Sequence, residues 1–462
     1  MHPLLTYFRI YARRKHVRPW SLSAPVLVLL VCLPLVQPFL RPARVLSDEE
    51  SSRYAMVQSL VEFQTFSIER TQFKSTILKT DGIQSSYSNR PPTQALLLAG
   101  PYWVMVHAGI TFKKNPLLVQ YLLTVIGVTV PVALAAGMVY RMGRLFELRR
   151  PWRAGLAAAS VFGSGLVSYA TVLNPYAAAA ALVLGSVAIL VKVGQLPTPI
   201  RGGGYLLAAG FFAALAAAID PAAAVFTLAF PLVILAHRWS ASARFGGVVM
   251  YVLGALPPIA LHLSLSFMMT GGWTLGLMPA KPVPVVGSSA TTATTAHAPS
   301  EPDEDALTPP STGWQTVWTY TGRIAAAVVG SHGILSHFPI VLVGLVGLGN
   351  VLRRHWPLTT KMLAGITLAA TVAVMARYVF APVDWRWGMF AMRWFVLFLP
   401  MVVFWAGGWC RKNHPPAVWA TAAVLLGFSV VVSVIGAVDP MPKTGYDRYT
   451  PWGVIRAVRN GE

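Results

Sequence analysis

Residues 22–54 read LSAPVLVLLVCLPLVQPFLRPARVLSDEESSRY: an apolar run, the exit residues Arg41-Pro42-Ala43-Arg44, and then three acids, Asp48, Glu49 and Glu50. The run from Leu22 to Leu40 is long enough to cross a bilayer. Ahead of it stand Arg9, Arg13, Arg14, Lys15 and Arg18 with no acid, so residues 1–21 are expected to be a cytoplasmic basic N-terminus. A cleaved signal peptide needs a shorter apolar core and small residues at its cleavage point. Gln37-Pro38-Phe39-Leu40-Arg41-Pro42 offers neither, so the first helix is expected to be retained. The acids then fall on the far side, against the membrane surface, where charge is costly unless it caps a helix or faces a polar site.

Working outward, the whole chain reads as a membrane protein. Of its 462 residues 55% are hydrophobic and 11% charged, and its mean hydropathy is +0.57. No soluble domain of ordinary size fits between the apolar runs. The net charge of +21 would suggest nucleic acid in a soluble chain. Here the basic residues sit in short clusters between apolar runs, where they set topology, and nucleic acid is discounted. Cys32 and Cys410 are far apart and match no zinc or redox spacing.

The run 93–110 decides the topology, because it contains Pro101 and is followed by Lys113 and Lys114. If it spans, the next helix, about 117–140, delivers Arg141, Arg144, Arg149, Arg150 and Arg153 outside, against the positive-inside rule. If it lies along the interface, every later basic cluster falls inside. Further spans at 154–172, 175–193, 203–219, 221–237, 246–268, 334–352, 359–380, 389–409 and 416–436 make about eleven crossings. The fold class is therefore an all-α polytopic bundle, with residues 22–436 as one transmembrane domain. An outer loop, 41–115, carries juxtamembrane helices, among them 50–63 with Tyr54, Val57, Leu60 and Val61 on one face. A second outer loop, 270–330, holds a segment, 281–310, rich in Pro, Ser, Thr and Ala and expected to be flexible, and residues 437–462 form an outer tail. On this topology Glu147 is the one cytoplasmic acid of 16.

Each candidate residue has a plain structural explanation beside the functional one. Ser47 with Glu50 three residues on is a capping box, and acids in a first turn complement the helix dipole. Glu49 has Arg53 one turn on as an ion-pair partner. Arg90, before Pro91-Pro92, either snorkels to headgroups or grips a phosphate with its planar fork. Asp220-Pro221 is explained by Asp as N-cap and Pro at the first helical position. His262, inside an expected span, fits a neutral imidazole bonded to a neighbouring helix. His332 and His337 have no metal-ligand spacing. Asp384-Trp385-Arg386-Trp387 and Arg393-Trp394 suit an aromatic belt, with two arginines placed for anionic lipid. No Gly-x-x-x-x-Gly-Lys-Ser/Thr loop and no Gly-x-Ser-x-Gly elbow supports an ATPase or serine hydrolase.

A basic N-terminus, one span, an outer Asp48-Glu49 pair leading to Tyr54, and then Tyr87-Ser88-Asn89-Arg90-Pro91-Pro92 resemble the GT-C membrane glycosyltransferases, in particular protein O-mannosyltransferases and the lipid A aminoarabinose transferase. The departure is Arg90 where lysine is usual. Arg393-Trp394 and Leu399-Pro400 also match the Gly-x-Arg-Trp/Tyr then Leu-Pro pattern of related bacterial members. The resemblance implies transfer of a sugar from a polyprenyl-phosphate carrier to a lipid, glycan or protein acceptor, on the outer face of a bacterial inner membrane. It implies Asp48, or second Glu49, as base and Arg90 on the donor phosphate, with Arg53 or Arg393 as candidate helpers; Tyr87, Arg386 and His332 are named beside them as candidates to contact substrate. No metal ligand set is visible, and neither a metal nor another cofactor is required. The alternatives are a transporter or lipid flippase, although no internal repeat is visible, and an inactive GT-C-like scaffold.

Overall fold

The computed structural model describes residues 24–40, 46–73, 77–79, 86–88, 90–196, 202–271, 273, 313–330, 333–380, 390–391, 393–438 and 440–441. Almost all of it is helical. The strands among the described residues are Ile77–Lys79 and Ser86–Ser88, paired antiparallel with Tyr87 opposite Leu78. The expected flexible segment 281–310, most of loop 270–330 and the tail beyond Met441 lie outside the described residues.

Among the described residues five helices are long and apolar enough to cross a membrane: Pro116–Phe146, Pro175–Val193, Ala241–Met269, Leu358–Arg377 and Pro416–Val438. A sixth arises if Val317–His337 and Val341–Arg353, bent by 94° at their junction, count as one span. Gly203–Ile219 and Pro221–Leu235 are shorter apolar helices. Leu228 is 79% and Val424 70% exposed, on helices with no polar face to offer water. Surfaces of that kind belong in lipid, and the chain is a multi-pass membrane protein.

The difference from eleven uninterrupted spans lies at three places. The stretch 154–172 divides into Arg150–Phe162 and Leu166–Tyr169, because Gly165 takes a left-handed φ of +72°. The stretch 334–352 divides into Ile334–His337 and Val341–Arg353 around Pro339. The stretch 389–409 becomes the 3-10 turn Arg393–Leu397 and the short helices Leu399–Phe404 and Gly407–Cys410. Leu166–Tyr169 and Phe395–Trp405 are buried throughout. Broken backbone at membrane depth is tolerable only inside protein, where other groups can meet the freed N–H and C=O groups.

Around this interior run straighter helices. The Gly203–Ile219 and Ala241–Thr270 helices touch backbone to backbone, since a Cβ at Gly210 would collide with the Tyr251 carbonyl and one at Gly254 with that of Leu207. The Pro92–His107 helix has 16 residues, a rise of about 24 Å against roughly 30 Å of hydrocarbon. It packs against the Asp48–Gln58 helix and the Ala241–Thr270 helix.

Candidate anion site at the Asp48–Gln58 helix

The helix begins where its sequence calls for a start. Ser47 Oγ accepts from the Glu50 N–H at 3.3 Å, and Glu50 Oε2 accepts from the Ser47 N–H at 3.3 Å, so both halves of the capping box are formed. Glu50 also accepts from the Leu173 N–H at 3.4 Å, which ties the cap to the segment after the Gly165 break. Tyr54 and Val57 are wholly buried and Leu60 and Val61 half-buried, the face expected of them. Tyr54 hydrogen-bonds Thr124 at 2.8 Å and packs on Phe73 and Phe112.

The cap leaves Glu49 facing inward, 3% exposed, and three guanidiniums converge on it. Arg393 Nη1 donates to Glu49 Oε1 at 2.7 Å, Arg90 Nη1 lies 3.1 Å from the same oxygen, and Arg53 Nη1 lies 3.6 Å from Oε2. Arg53 also donates to the Glu49 backbone carbonyl at 2.9 Å. Burial alone would raise the Glu49 carboxyl; Arg393, Arg90 and Arg53 reverse this and hold it down to about 2. Burial pulls the Arg53 guanidinium below its ordinary value, while Glu49 opposes the fall. Arg393 further lies 4.6 Å from the Trp394 ring centroid and 5.9 Å from that of Tyr176.

Arg90 is aimed by its neighbours. Ser88 Oγ accepts from the Arg90 N–H at 3.2 Å and shares a hydrogen bond of 2.5 Å with Ser52 Oγ, so the strand is tied to the helix that carries Glu49 and Arg53. Arg90 Nε is buried and has no hydrogen-bond partner among the described residues. The stretches 47–54 and 86–92 therefore do meet, and Arg393 joins them from the far end of the chain. Tyr87 is half-buried and packs on the hydrophobic core, facing away from Ser86 and Ser88 along the strand.

Asp48 stands in the first helical turn, and its side chain lies outside the described residues, as do Arg386 and His332. His262 hydrogen-bonds Thr93 at 2.9 Å across to a neighbouring helix. Asp220 was legible as a helix cap and was not expected at this site. Its Oδ1 accepts from the Ala222 N–H at 3.0 Å, as a cap should, yet the carboxylate lies within electrostatic reach of Arg53, Glu49 and Arg393. Desolvation raises it to about 6, with the Ala222 N–H and the arginines opposing. Tyr176, at the start of the Pro175–Val193 helix, is the other residue that motif spacing did not point to. Among the described residues no group of three or more His, Cys, Asp or Glu could hold a metal ion.

Comparison with known proteins adds the following. The sequence matches no family profile and no curated protein. Among solved structures, ArnT from Cupriavidus metallidurans in the apo state is similar at 15% identity and a TM-score of 0.49, covering 95% of this chain and 70% of that one. ArnT bound to undecaprenyl phosphate gives 13% identity and a TM-score of 0.49, over 94% of this chain and 68% of that one. The Archaeoglobus fulgidus oligosaccharyltransferase gives 12% and 0.47, over 95% of this chain and 60% of that one. Likenesses at this level assign neither family nor activity, and the functional reading below stands on the residues.

Proposed function

We propose that the chain is a membrane glycosyltransferase of the GT-C kind, moving a sugar from a polyprenyl-phosphate carrier to an acceptor on the outer face of the membrane. The observation that carries this reading is the meeting of Arg53, Arg90 and Arg393, from three separate stretches, on one described carboxylate, with Arg90 Nε–H buried and unpaired. Guanidinium forks suit a phosphate, and a buried N–H without a partner is a donor suited to an anion oxygen. The residues in question are those that the motif resemblance points to, Arg90 foremost.

In the reaction so read, the acceptor hydroxyl attacks the anomeric carbon, its proton passes to a carboxylate, and the bond from that carbon to the phosphate oxygen breaks. The electron pair leaves with the carrier phosphate, whose growing charge the arginines stabilise. Inversion follows from the single displacement. We assign the base to Asp48 in preference to Glu49. A carboxylate held near 2 by guanidiniums is a weak proton acceptor at neutral pH, and Glu49 is better suited to fixing the three arginines. The short Pro92–His107 helix would shape a groove for the carrier chain beside them.

Reconstitution in liposomes with candidate polyprenyl-phosphate sugars tests this reading. Release of carrier phosphate supports it; its absence across the donor panel, with the lipid phosphate bound, would leave a scaffold or a flippase. The buried helix breaks suit a flippase, which would instead move a labelled lipid phosphate across the bilayer.

A further inference from the structure

Capping explains half of Asp220. Its Oδ1 accepts from the Ala222 N–H, whereas Oδ2 is buried, has no hydrogen-bond partner among the described residues and lies on a residue only 7% exposed. Among the described residues no cation is paired with this carboxylate, although Arg53 and Arg393 are within its electrostatic reach and both are bonded to Glu49. The helices packed against the adjoining Pro221–Ala223 turn are Pro175–Val193, Gly203–Ile219 and Ala224–Leu235; the first places Tyr176 within electrostatic reach of Asp220, and Lys192 and Tyr205 stand at the opposite ends of the first two. Among the described residues, the charged and titratable groups within electrostatic reach of Asp220 include Arg53, Glu49, Arg393 and Tyr176. A carboxylate kept unpaired beside a cluster of guanidiniums that bond another acid is not serving as their counter-ion.

We infer that Asp220 is a further member of the anion site, binding as the neutral acid and donating a hydrogen bond from Oδ2 to a phosphodiester held by Arg53, Arg90 and Arg393. This rests on the phosphate-site reading above and adds a residue, a protonation state and a consequence to it. An ionised carboxylate has only acceptors and repels an incoming anion; protonated, it has one O–H to give. A bound anion within reach raises the affinity of Asp220 for a proton, and by reciprocity the proton raises the affinity for the anion. One proton is taken from solvent onto Oδ2 as the phosphodiester binds, and it returns when the site empties. The burial that already favours the neutral form makes this exchange accessible near neutral pH.

The test uses farnesyl methyl phosphate, a diester whose charge does not change between pH 5.5 and 8.5, with binding to the full chain in detergent followed by tryptophan fluorescence. The parent should bind more tightly as pH falls, by about tenfold for each unit that the anion lifts the carboxyl. Asp220→Asn keeps the cap oxygen and offers an N–H in place of the O–H. It should bind as well at pH 8.5 as the parent does at pH 5.5, with a flat profile. A merely structural cap would leave the parent profile unchanged in this variant. A parent profile that is flat, a variant that keeps the parent's slope, or a variant that binds more weakly at every pH overturns the inference. Arg90→Ala separates the two layers: if it binds the diester like the parent, the phosphate site itself is overturned and Asp220 with it. If it binds weakly while Asp220→Asn behaves as the parent, only the role of Asp220 is lost.

Discussion

Two buried carboxylates in the same charged neighbourhood are driven in opposite directions. Glu49 is held down to about 2 and Asp220 pushed up to about 6, although both are taken almost completely out of water. The difference lies in contact: Glu49 has guanidinium nitrogens at 2.7 and 3.1 Å, and Asp220 has one backbone N–H at 3.0 Å. Burial is common to both, and partners decide the sign. The comparison separates an acid that builds the site from one that the site can still use.

Removing Glu49 should break the comparison with the largest effect. Glu49→Gln leaves Arg53, Arg90 and Arg393 facing a neutral amide in a buried setting. Breaking a buried pair in this way typically costs about 3–5 kcal/mol. Thermal unfolding in detergent should show a large loss, together with loss of diester binding; a variant as stable as the parent would mean that Glu49 does not organise the arginines.

Arg90 sharpens the question of what the cations hold. Arg90→Ala should weaken donor binding by about 10²-fold, since charge-assisted hydrogen bonds are worth about 1.5–3 kcal/mol. Arg90→Lys should lose less, keeping the charge without the fork. Titration of purified variants with donor measures both, and equal binding by Arg90→Ala and the parent would leave only an interfacial arginine.

Stability against pH should differ in sign between the two acids. The contribution of Glu49 is present above its ordinary 4.5 and is lost as pH falls toward about 2. Asp220 costs stability as pH rises from its ordinary 3.8 through about 6, a penalty on the order of 3 kcal/mol above that point. Asp220→Asn should therefore raise the melting temperature at pH 8 and give no gain near pH 4. A uniform gain or loss across this range would tie its effect to the cap alone.

How much of this was readable from the chain varies with the kind of signal. Helices such as Pro175–Val193, Gly203–Ile219 and Pro416–Val438 follow from composition, because apolar length fixes where a crossing can begin and end. The breaks at Gly165 and Pro339 are hidden, since an apolar run keeps its composition when its backbone is interrupted inside the protein. At the site, Ser47 and Glu50 announce the cap locally, and Arg53, Arg90 and Arg393 were reached through motif order. Of the convergence on Glu49 only the Arg53 contact, one helical turn away, has a local signature; Arg90 and Arg393 come from far along the chain and have none. The place of Asp220 beside this cluster is hidden for a related reason: Asp as cap and Pro at the first helical position explain the Asp-Pro pair fully, and the unpaired Oδ2 shows only in three dimensions.

The smallest expected effect concerns the cap that starts the helix carrying Glu49. Ser47→Ala removes the acceptor for the Glu50 N–H and should cost about 1 kcal/mol of stability, with the arginine cluster and diester affinity little changed. A large fall in diester affinity instead would show that the cap positions Glu49 and is not only a helix start.

The central claim, sugar transfer at the arginine cluster with Asp48 as base, is tested most directly by carrier-phosphate release from Asp48→Asn at saturating donor. The account predicts a parent that releases carrier phosphate and a variant about 10²–10⁴-fold slower, with donor affinity and melting temperature close to those of the parent. Release at the parental rate by Asp48→Asn would contradict it.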